Sequence, residues 1–231
     1  MSDINMIKKA SKLMFDLFNI EDCIIMGGLF LTHPFTNSPM ICLSIDDKNT
    51  FVNLLENKTN QILFRENIFK RIDEANDIYY IMMLVNKPYR LLWFKLINNY
   101  LDNKDFGNLL AEIWVDSENP NDDVNVSLKE CISFFRQAKL KSLMNKDELK
   151  VFLELPETIT VYRGVSKNRN SYGLSYTLDK DKAIWFQNRF ADKNNKGFLI
   201  QKTINKNLVL AYFSRRDEDE IVVDTTDFYF E

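Results

Sequence analysis

Histidine and cysteine, which carry much of the metal and nucleophile chemistry of proteins, are scarce in this chain of 231 residues. His33 is the only histidine, which excludes histidine-rich zinc sites and leaves one residue for any Ser-His or Cys-His pair. The cysteines, Cys23, Cys42 and Cys131, are odd in number and far apart, which argues against a disulfide framework. We therefore expect no metal site and a reducing, cytoplasmic compartment.

Long apolar segments are missing as well. The longest apolar run, residues 23–31, is about half the length that a membrane-spanning helix needs, and Gly27 and Gly28 interrupt it. The start Met1-Ser2-Asp3 lacks the basic and apolar regions of a signal peptide. These absences predict a soluble chain with no membrane partner.

Charge of either sign is close to balance. Lys and Arg number 18 against 21 Asp and Glu in residues 1–150, and 12 against 12 in residues 151–231. Neither part has the positive excess that is typical of proteins binding nucleic acid mainly by charge, although a local basic patch remains open. Apolar residues make up 45% of the chain and include 18 Phe, enough for the core of one large domain or two small ones.

Helical periodicity dominates the first two thirds of the chain. Apolar residues recur at helical spacing over residues 3–19, with Ser2 as the expected N-cap. Residues 22–45, rich in Gly and Pro, indicate a hairpin or packed loop that contains His33. Further helices are predicted over residues 48–57, 60–85 (with a break), 88–102, 105–115, 127–143 and 146–154.

Local signals refine this helical part. Ser127 and Glu130 form a capping-box pattern, and the polar residues 116–123, with Pro120, indicate the best boundary between helices. Several aromatic residues at helical spacing are expected in the core: Tyr79, Tyr80, Trp93, Phe94 and Trp114.

Near Pro156 the period changes from helix to strand. Strands are predicted over residues 159–163, 173–177, 197–204, 207–212, 219–223 and 226–230. One helix over 179–191, capped by Asp179, interrupts them. Helices followed by strands predict an α+β fold with a mixed or antiparallel sheet.

Three short segments among these strands carry candidate chemistry. Arg163, after an apolar strand and before Gly164, offers a planar fork suited to phosphate, and the glycine would let a ligand approach the backbone. Ser175 and Thr177 alternate along one strand, so their hydroxyls share a face. Each pattern alone also fits an ordinary rim arginine or an ordinary strand.

The third segment contains two alternating carboxylates, Glu218 and Glu220, before the strand Ile221-Val222-Val223. Such a pair is commonly a solvated surface feature. In a cleft, one member could do acid–base work. The acidic run also leaves open a shifted register, in which Asp217 and Asp219 face the pocket.

Taken in order, Val161-Tyr162-Arg163-Gly164, Gly173-Leu174-Ser175-Tyr176-Thr177 and Glu218-Asp219-Glu220 resemble the arginine–serine–glutamate signature of ADP-ribosyltransferases. These enzymes split NAD and pass its ADP-ribose to an acceptor. The likeness covers residues 105–231 and extends to Ala183 and Phe186. It implies a catalytic domain over 105–231, with a split β-sheet core and an NAD cleft between its halves, after a helical N-terminal region over 1–104.

The resemblance also implies roles for individual residues. Arg163 would hold the nicotinamide-side phosphate of NAD, and backbone groups of Gly164 would bind the carboxamide. Glu220 would hydrogen-bond the ribose 2′-hydroxyl, and Glu218 would receive or orient the acceptor. Ser175 would brace the pocket together with Thr177.

Further positions follow from the same resemblance. Tyr162 and Phe186 would line the cofactor site, whereas Tyr176, which departs from the usual middle residue of the serine motif, should point to the opposite face. Residues 213–217 would form the turn that meets the target, with Phe213 as its exposed aromatic residue.

The function implied is an NAD-dependent mono-ADP-ribosyltransferase, a pentosyl-transferring enzyme that uses NAD as substrate and releases nicotinamide. Two glutamates favour a protein arginine as acceptor, and the context would be a bacterial or phage toxin or effector in the cytoplasm of the producer or of an infected host. Three alternatives stay open: an NAD glycohydrolase with water as acceptor, a catalytically inactive interaction module of the same fold, and a helical adaptor in which the motifs are coincidental.

Overall fold

The computed structural model describes residues 1–45, 48–167, 169–190, 197–215 and 219–228. The chain divides into two compact units, Met1–Asp102 and Asn103–Glu231, and this division falls two residues before the predicted boundary. Helices and antiparallel sheets together give the α+β class that the sequence predicts. Within the described ranges, no helix combines the length and the apolarity needed to cross a membrane.

The first unit consists of helices and two separate β-hairpins. Its elements are α1 (Ile4–Asp16), β1 (Asp22–Ile25), β2 (Gly28–Leu31), β3 (Met40–Ile45), β4 (Lys48–Asn53), α2 (Lys58–Glu74), α3 (Ile78–Leu84) and α4 (Arg90–Ile97). The β1–β2 turn has Met26 and Gly27 at positive φ, 50° and 79°, as a two-residue hairpin turn of the primed type requires.

Three local predictions for this unit are wrong. Residues 48–53 form strand β4 and not the beginning of a helix, because each of them pairs with a residue of β3 in one continuous register, which a short helical spacing does not reveal. The N-cap of α1 is Asp3, whose carboxylate accepts from the amide of Met6, whereas the Ser2 hydroxyl accepts from the amide of Asp102. Tyr79 and Tyr80 are about 40% exposed and so lie outside the core.

His33 lies at the centre of the buried core of the first unit. Its ring contacts those of Phe15, Phe35 and Phe64, with centroids 4.4, 6.1 and 6.1 Å away. Nδ1 accepts from the amide of Phe35, so the proton resides on Nε2, which donates to the carbonyl of Phe15 at 3.3 Å. The only histidine of the chain is therefore a structural residue, held in its neutral form.

The second unit places helices before a five-stranded sheet. Its elements are α5 (Asn103–Asp116), α6 (Leu128–Gln137), α7 (Leu140–Leu143), α8 (Lys146–Glu154), β5 (Thr158–Val165), β6 (Ser175–Thr177), α9 (Lys180–Asn188), β7 (Phe198–Asn205), β8 (Val209–Phe213) and β9 (Glu220–Val223). The strand order is β7-β5-β6-β9-β8, and every neighbouring pair is antiparallel.

Most elements of this unit agree with the sequence prediction. The Ser127–Glu130 capping box is present, and a second box joins Asn145 and Glu148 at the start of α8. Trp114 is buried, as are Trp93 and Phe94 of the first unit. The strand predicted over 226–230 is not formed at residues 226–228, which make a turn, and its last two residues lie outside the described part of the chain.

The environment of His33 makes the stability of the first unit depend on pH. Burial lowers the pKa of His33 to about 4 from 6.5, so the unfolded chain binds a proton more readily than the folded one. Its contribution to stability is complete above pH 6.5 and is lost as the pH falls toward 4, by up to about 3 kcal/mol. With one histidine in the chain, NMR can follow the ring directly, and a titration midpoint near 6.5 in the folded protein would contradict this account.

Candidate active site

The candidate residues lie on three neighbouring strands in the middle of the five-stranded sheet. Tyr162 of β5 pairs with Thr177 of β6, and Thr177 pairs in turn with Glu220 of β9. Directly opposed residues of antiparallel strands project to the same face, so these three side chains form one row across the sheet. The predicted hydroxyl and carboxylate motifs are thereby adjacent, although they are far apart in sequence.

Arg163 occupies a gap between β5 and β6. The two strands share one registered pair, Tyr162 with Thr177, and continuing that register would pair Gly164 with Ser175. There the carbonyl of Ser175 instead accepts from Nη1 of Arg163 at 2.8 Å, and Nη2 lies 3.4 Å from the carbonyl of Asn170. The guanidinium thus occupies the place where the registered pairing of β5 and β6 ends, which we call the opening between these strands.

The approach of Arg163 differs from that of the other candidates. Side chains alternate between the two faces along β5. The side chain of Arg163 therefore leaves the strand on the face opposite to Tyr162, and so opposite to Thr177 and Glu220. Two strand spacings separate the backbones of β5 and β9, which is about 10 Å. The side chains of Arg163 and Glu220 therefore start from opposite faces of the sheet, and β6 lies between their two strands.

Two glycines have a packing role at this opening. A Cβ atom on Gly173 would lie 2.5 Å from Nη2 of Arg163, so the missing side chain makes room for the guanidinium. A Cβ atom on Gly164 would lie 1.8 Å from the carbonyl oxygen of Ala183 in α9. The sequence explains Gly164 by the approach of a ligand to the backbone. This explanation is wrong for the side on which a Cβ atom would lie, because α9 fills that space.

The carboxylate of Glu220 is oriented by a buried tryptophan. The indole N–H of Trp114, which is 1% exposed, donates to Oε1 of Glu220 at 3.0 Å. The ring of Trp114 packs edge-on against Phe135, with centroids 5.0 Å apart, so the donor is fixed in place. A charge-assisted hydrogen bond from an immobile donor orients the carboxylate.

Asn121 holds the serine motif from the side. Its amide nitrogen donates to the hydroxyl of Ser175 at 2.9 Å, and its amide oxygen accepts from the backbone of Leu174 at 2.6 Å. The residue belongs to the short 3₁₀ turn at Pro120–Asp122, in the segment that the sequence indicates as a boundary between helices. That segment therefore supports the site directly.

The remaining candidates are Phe186, Tyr176, Glu218 and Asp217. Phe186 lies on α9, half-buried, and its carbonyl accepts from the hydroxyl of Ser166 at 2.7 Å, which ties the helix to the end of β5. Tyr176 is buried on the opposite side from Thr177 and contacts the ring of Phe228, as expected. Glu218 lies outside the described residues, as does Asp217.

Two predictions about the β8–β9 region can be decided. Phe213, expected as an exposed aromatic residue, is fully buried, because β8 lies inside the unit and its ring packs 6.4 Å from that of Phe135. The carboxylate of Asp219 accepts from the hydroxyl of Tyr212 at 2.7 Å, and Tyr212 pairs with Ile221 on the side of the sheet opposite to Glu220. For this residue the shifted register is wrong, and Glu220 is the carboxylate in line with Thr177.

Sequence reasoning did not identify Trp114 and Asn121 as site residues. Trp114 has the helical spacing of a core residue, and Asn121 lies in a polar loop, so neither position carries a signal for the contact it makes. Among the described residues, no group of three or more His, Cys, Asp or Glu could hold a metal ion.

Comparisons of this chain with family models, with curated proteins and with solved structures find no match. The functional interpretation therefore depends on the sequence motifs and on the geometry of the second unit.

The double contact of Asn121 predicts a local stability effect. Replacing Asn121 with Ala leaves the buried backbone N–H of Leu174 without its acceptor, which should cost about 2 kcal/mol and accelerate amide exchange over residues 173–177. Replacing Ser175 with Ala removes only the hydroxyl contact and should leave the exchange of Leu174 unchanged. Equal exchange rates in the Asn121→Ala variant and the parent, measured by mass spectrometry, would contradict the role given to Asn121.

Proposed function

We propose that this protein is an NAD-dependent mono-ADP-ribosyltransferase, which transfers ADP-ribose from NAD to an acceptor, a protein arginine, and releases nicotinamide. One observation carries the proposal: Arg163, Ser175 with Thr177, and Glu220 lie on three adjacent strands of one sheet. The backbones of the three motifs that resemble the family signature are therefore neighbours in this sheet, which supports the proposal, although Arg163 leaves β5 on the face opposite to Thr177 and Glu220.

The opening between β5 and β6 supports an NAD cleft of the split-sheet type. Arg163 presents a guanidinium at this opening, and its planar donor set is suited to a phosphate oxygen. Tyr162 and Phe186 lie on the two elements that border this opening.

Glu220 is suited to stabilise the positive charge that forms during the reaction. When the bond between ribose C1′ and the nicotinamide nitrogen breaks, nicotinamide leaves with the bonding electron pair and the ribose becomes an oxocarbenium ion. A carboxylate held by the indole of Trp114 is already oriented before this charge develops. Preorganised charges of this kind stabilise the transition state more than the neutral ground state.

The second half of the reaction needs an acceptor and a base. The lone pair of a guanidino nitrogen attacks C1′, and the proton of that nitrogen passes to a carboxylate, for which we propose Glu218. Proton removal of this kind typically contributes a factor of about 10² to 10⁴ in rate. No metal ion and no nucleophilic side chain is needed, so a chain with a single, structural histidine can carry the reaction.

Water can take the place of the arginine at C1′, which would make the protein an NAD glycohydrolase. The same groups serve both reactions, so the product distinguishes them: free ADP-ribose for hydrolysis, and labelled macromolecule for transfer. NAD binding without release of nicotinamide would instead identify an inactive module.

We further propose that the target is a protein met in the cytoplasm, where the chain would act as a bacterial or phage effector.

Replacing Glu220 with Gln tests the proposed chemistry. Gln keeps the size of the side chain but lacks the negative charge, so nicotinamide release should fall by about 10²-fold or more while NAD affinity changes little. The assay is release of labelled nicotinamide together with equilibrium binding of NAD. Glu157→Gln is the matched control, because Glu157 is exposed just before β5 and should tolerate the same change. Undiminished nicotinamide release by the Glu220→Gln variant would refute the role of Glu220.

Replacing Glu218 with Gln separates transfer from hydrolysis. If Glu218 receives the proton of the acceptor, transfer to a guanidino group should fall by about 10²-fold while hydrolysis of NAD falls far less. Chromatography of the labelled products measures both rates in one reaction. An equal loss of both activities would contradict the acceptor role.

A further inference from the structure

The β1–β2 hairpin of the first unit exposes its apolar side chains to solvent. Its base is fixed, because Leu31 is buried and the amides of Leu31 and Thr32 donate to the carbonyls of Asn37 and Glu21. The segment 23–31 contains no charged residue. Five large apolar residues of the hairpin are nonetheless exposed: Ile24 (76%), Ile25 (53%), Met26 (104%), Leu29 (47%) and Phe30 (39%).

The exposed apolar area of this hairpin is large for a single chain. At about 200 Å² for a fully exposed residue of this size, the five exposed fractions correspond to about 600 Å². This value is at the upper end of the largest apolar patch that a monomer ordinarily leaves in water, about 300–600 Å². A stable interface buries about 800 Å² on each partner, so the hairpin supplies about three quarters of what one side of a dimer needs.

The outer edge of β1 has backbone groups that can still form hydrogen bonds. The amide of Thr32 donates to the carbonyl of Glu21, so the two strands are bonded at that pair and at every second pair toward the turn. The N–H and C=O groups of Asp22 and Ile24 therefore point away from β2. This sheet has two strands, and no residue in the described part of the chain bonds to these outward groups. An apolar edge strand of this kind is a template for pairing with a further strand.

We propose that a second copy of this chain occupies this edge, with the two β1 strands paired antiparallel about a two-fold axis at Ile24. The two hairpins then form one four-stranded sheet in the order β2-β1-β1-β2. Such an interface is isologous, so each Ile24 exchanges both of its backbone hydrogen bonds with the Ile24 of the other copy. This inference does not depend on the function proposed for the second unit.

Pairing along the edge provides contacts for both apolar faces of the hairpin. Ile24 and Leu29 are directly opposed and share one face, whereas Ile25 and Phe30 lie on the other. In the dimer, the two copies of Ile24 and Leu29 form one row of four side chains. On the opposite face, Ile25 of each copy lies beside Cys23 of the other. A partner with a flat apolar surface would cover one face and leave the other in water.

The charges near the hairpin allow two identical strands to approach each other. In a two-fold interface, every charge near the axis meets a copy of itself. The charged residue of β1 is Asp22, and in this register its two copies are four positions apart along the strands, about 14 Å. This separation exceeds the Debye length of about 8 Å at physiological ionic strength, so the repulsion between the two carboxylates is small.

A charge at the centre of the interface tests the inference in the full chain. Ile24→Lys places two ammonium groups at the two-fold axis, where directly opposed like charges are destabilising. Leu153→Lys is the matched control, because Leu153 is 62% exposed on α8, in the second unit. Sedimentation equilibrium at about 50 μM should show a dimer for the parent and for the control, and a dissociation constant raised at least about tenfold for Ile24→Lys. A monomeric parent at this concentration would overturn the inference, as would an Ile24→Lys variant with the circular dichroism spectrum and the dissociation constant of the parent.

Cross-linking tests the register of the two strands separately. Opposed residues of a hydrogen-bonded antiparallel pair have Cα atoms about 5.5 Å apart, a distance that a disulfide can bridge. With Cys23 and Cys42 replaced by Ser, Ile24→Cys should form a disulfide-linked dimer in oxidised glutathione, and Leu153→Cys should not. Equal cross-linking of the two variants would overturn the pairing of β1 with its copy. A monomeric parent that co-sediments with phosphatidylcholine vesicles, and loses this binding in Ile24→Lys, would also overturn it and would assign the hairpin to a lipid surface.

Discussion

The hydrogen bond from Arg163 to the carbonyl of Ser175 determines the arrangement of the second unit around its centre. A carbonyl at this position would ordinarily be satisfied by the neighbouring strand. Because the guanidinium takes that place, β5 and β6 separate after one registered pair, yet the carbonyl keeps a donor. The carbonyl of Ser175 thus keeps a donor where the pairing of the two strands ends, and the missing side chain of Gly173 provides the space for the guanidinium.

Three carboxylates around β9 have different donors among the described residues. Glu148 accepts four hydrogen bonds, two of them from Arg215, and its charge is neutralised in a fully buried place. Asp224 is likewise bound by Arg136 and Thr226, which lower its pKa although burial opposes this. Glu220 accepts from the neutral indole of Trp114 and is only half-buried.

The sequence predicted those features that depend on local physics. The capping box of Ser127 and Glu130, the helices of the second unit and the strands that carry the motifs follow from side-chain spacing and from hydrogen bonds over three or four residues. The wrong predictions concern features that depend on contacts outside a short sequence window. A short sequence window predicts a helix over residues 48–53 because it does not reveal the hairpin partner of this segment. The expectation of an exposed Phe213 is wrong because the burial of this residue depends on β8 lying inside the unit.

The contacts that support the candidate site could not be predicted, because they join residues that are distant in sequence. Trp114 contacts Glu220 across 106 positions, and Asn121 contacts Ser175 across 54. A tryptophan at helical spacing and an asparagine in a turn are common, and nothing local distinguishes these two from others. Only the antiparallel order of β5, β6 and β9 brings the motifs to the helices that orient them.

These distant contacts explain why the helices before the sheet belong to the same unit as the strands. Three residues of the segment 103–154 each hold a different motif: Asn121 holds the serine motif, Trp114 holds Glu220, and Glu148 holds the β8–β9 connection. A sheet without these helices would keep its ladder but lose the donors and the acceptor that orient its functional side chains. The division of the chain after Asp102, before α5, keeps these three residues in one unit with the strands that they contact, whereas a division at the polar loop around Pro120 would separate Trp114 from the carboxylate it orients.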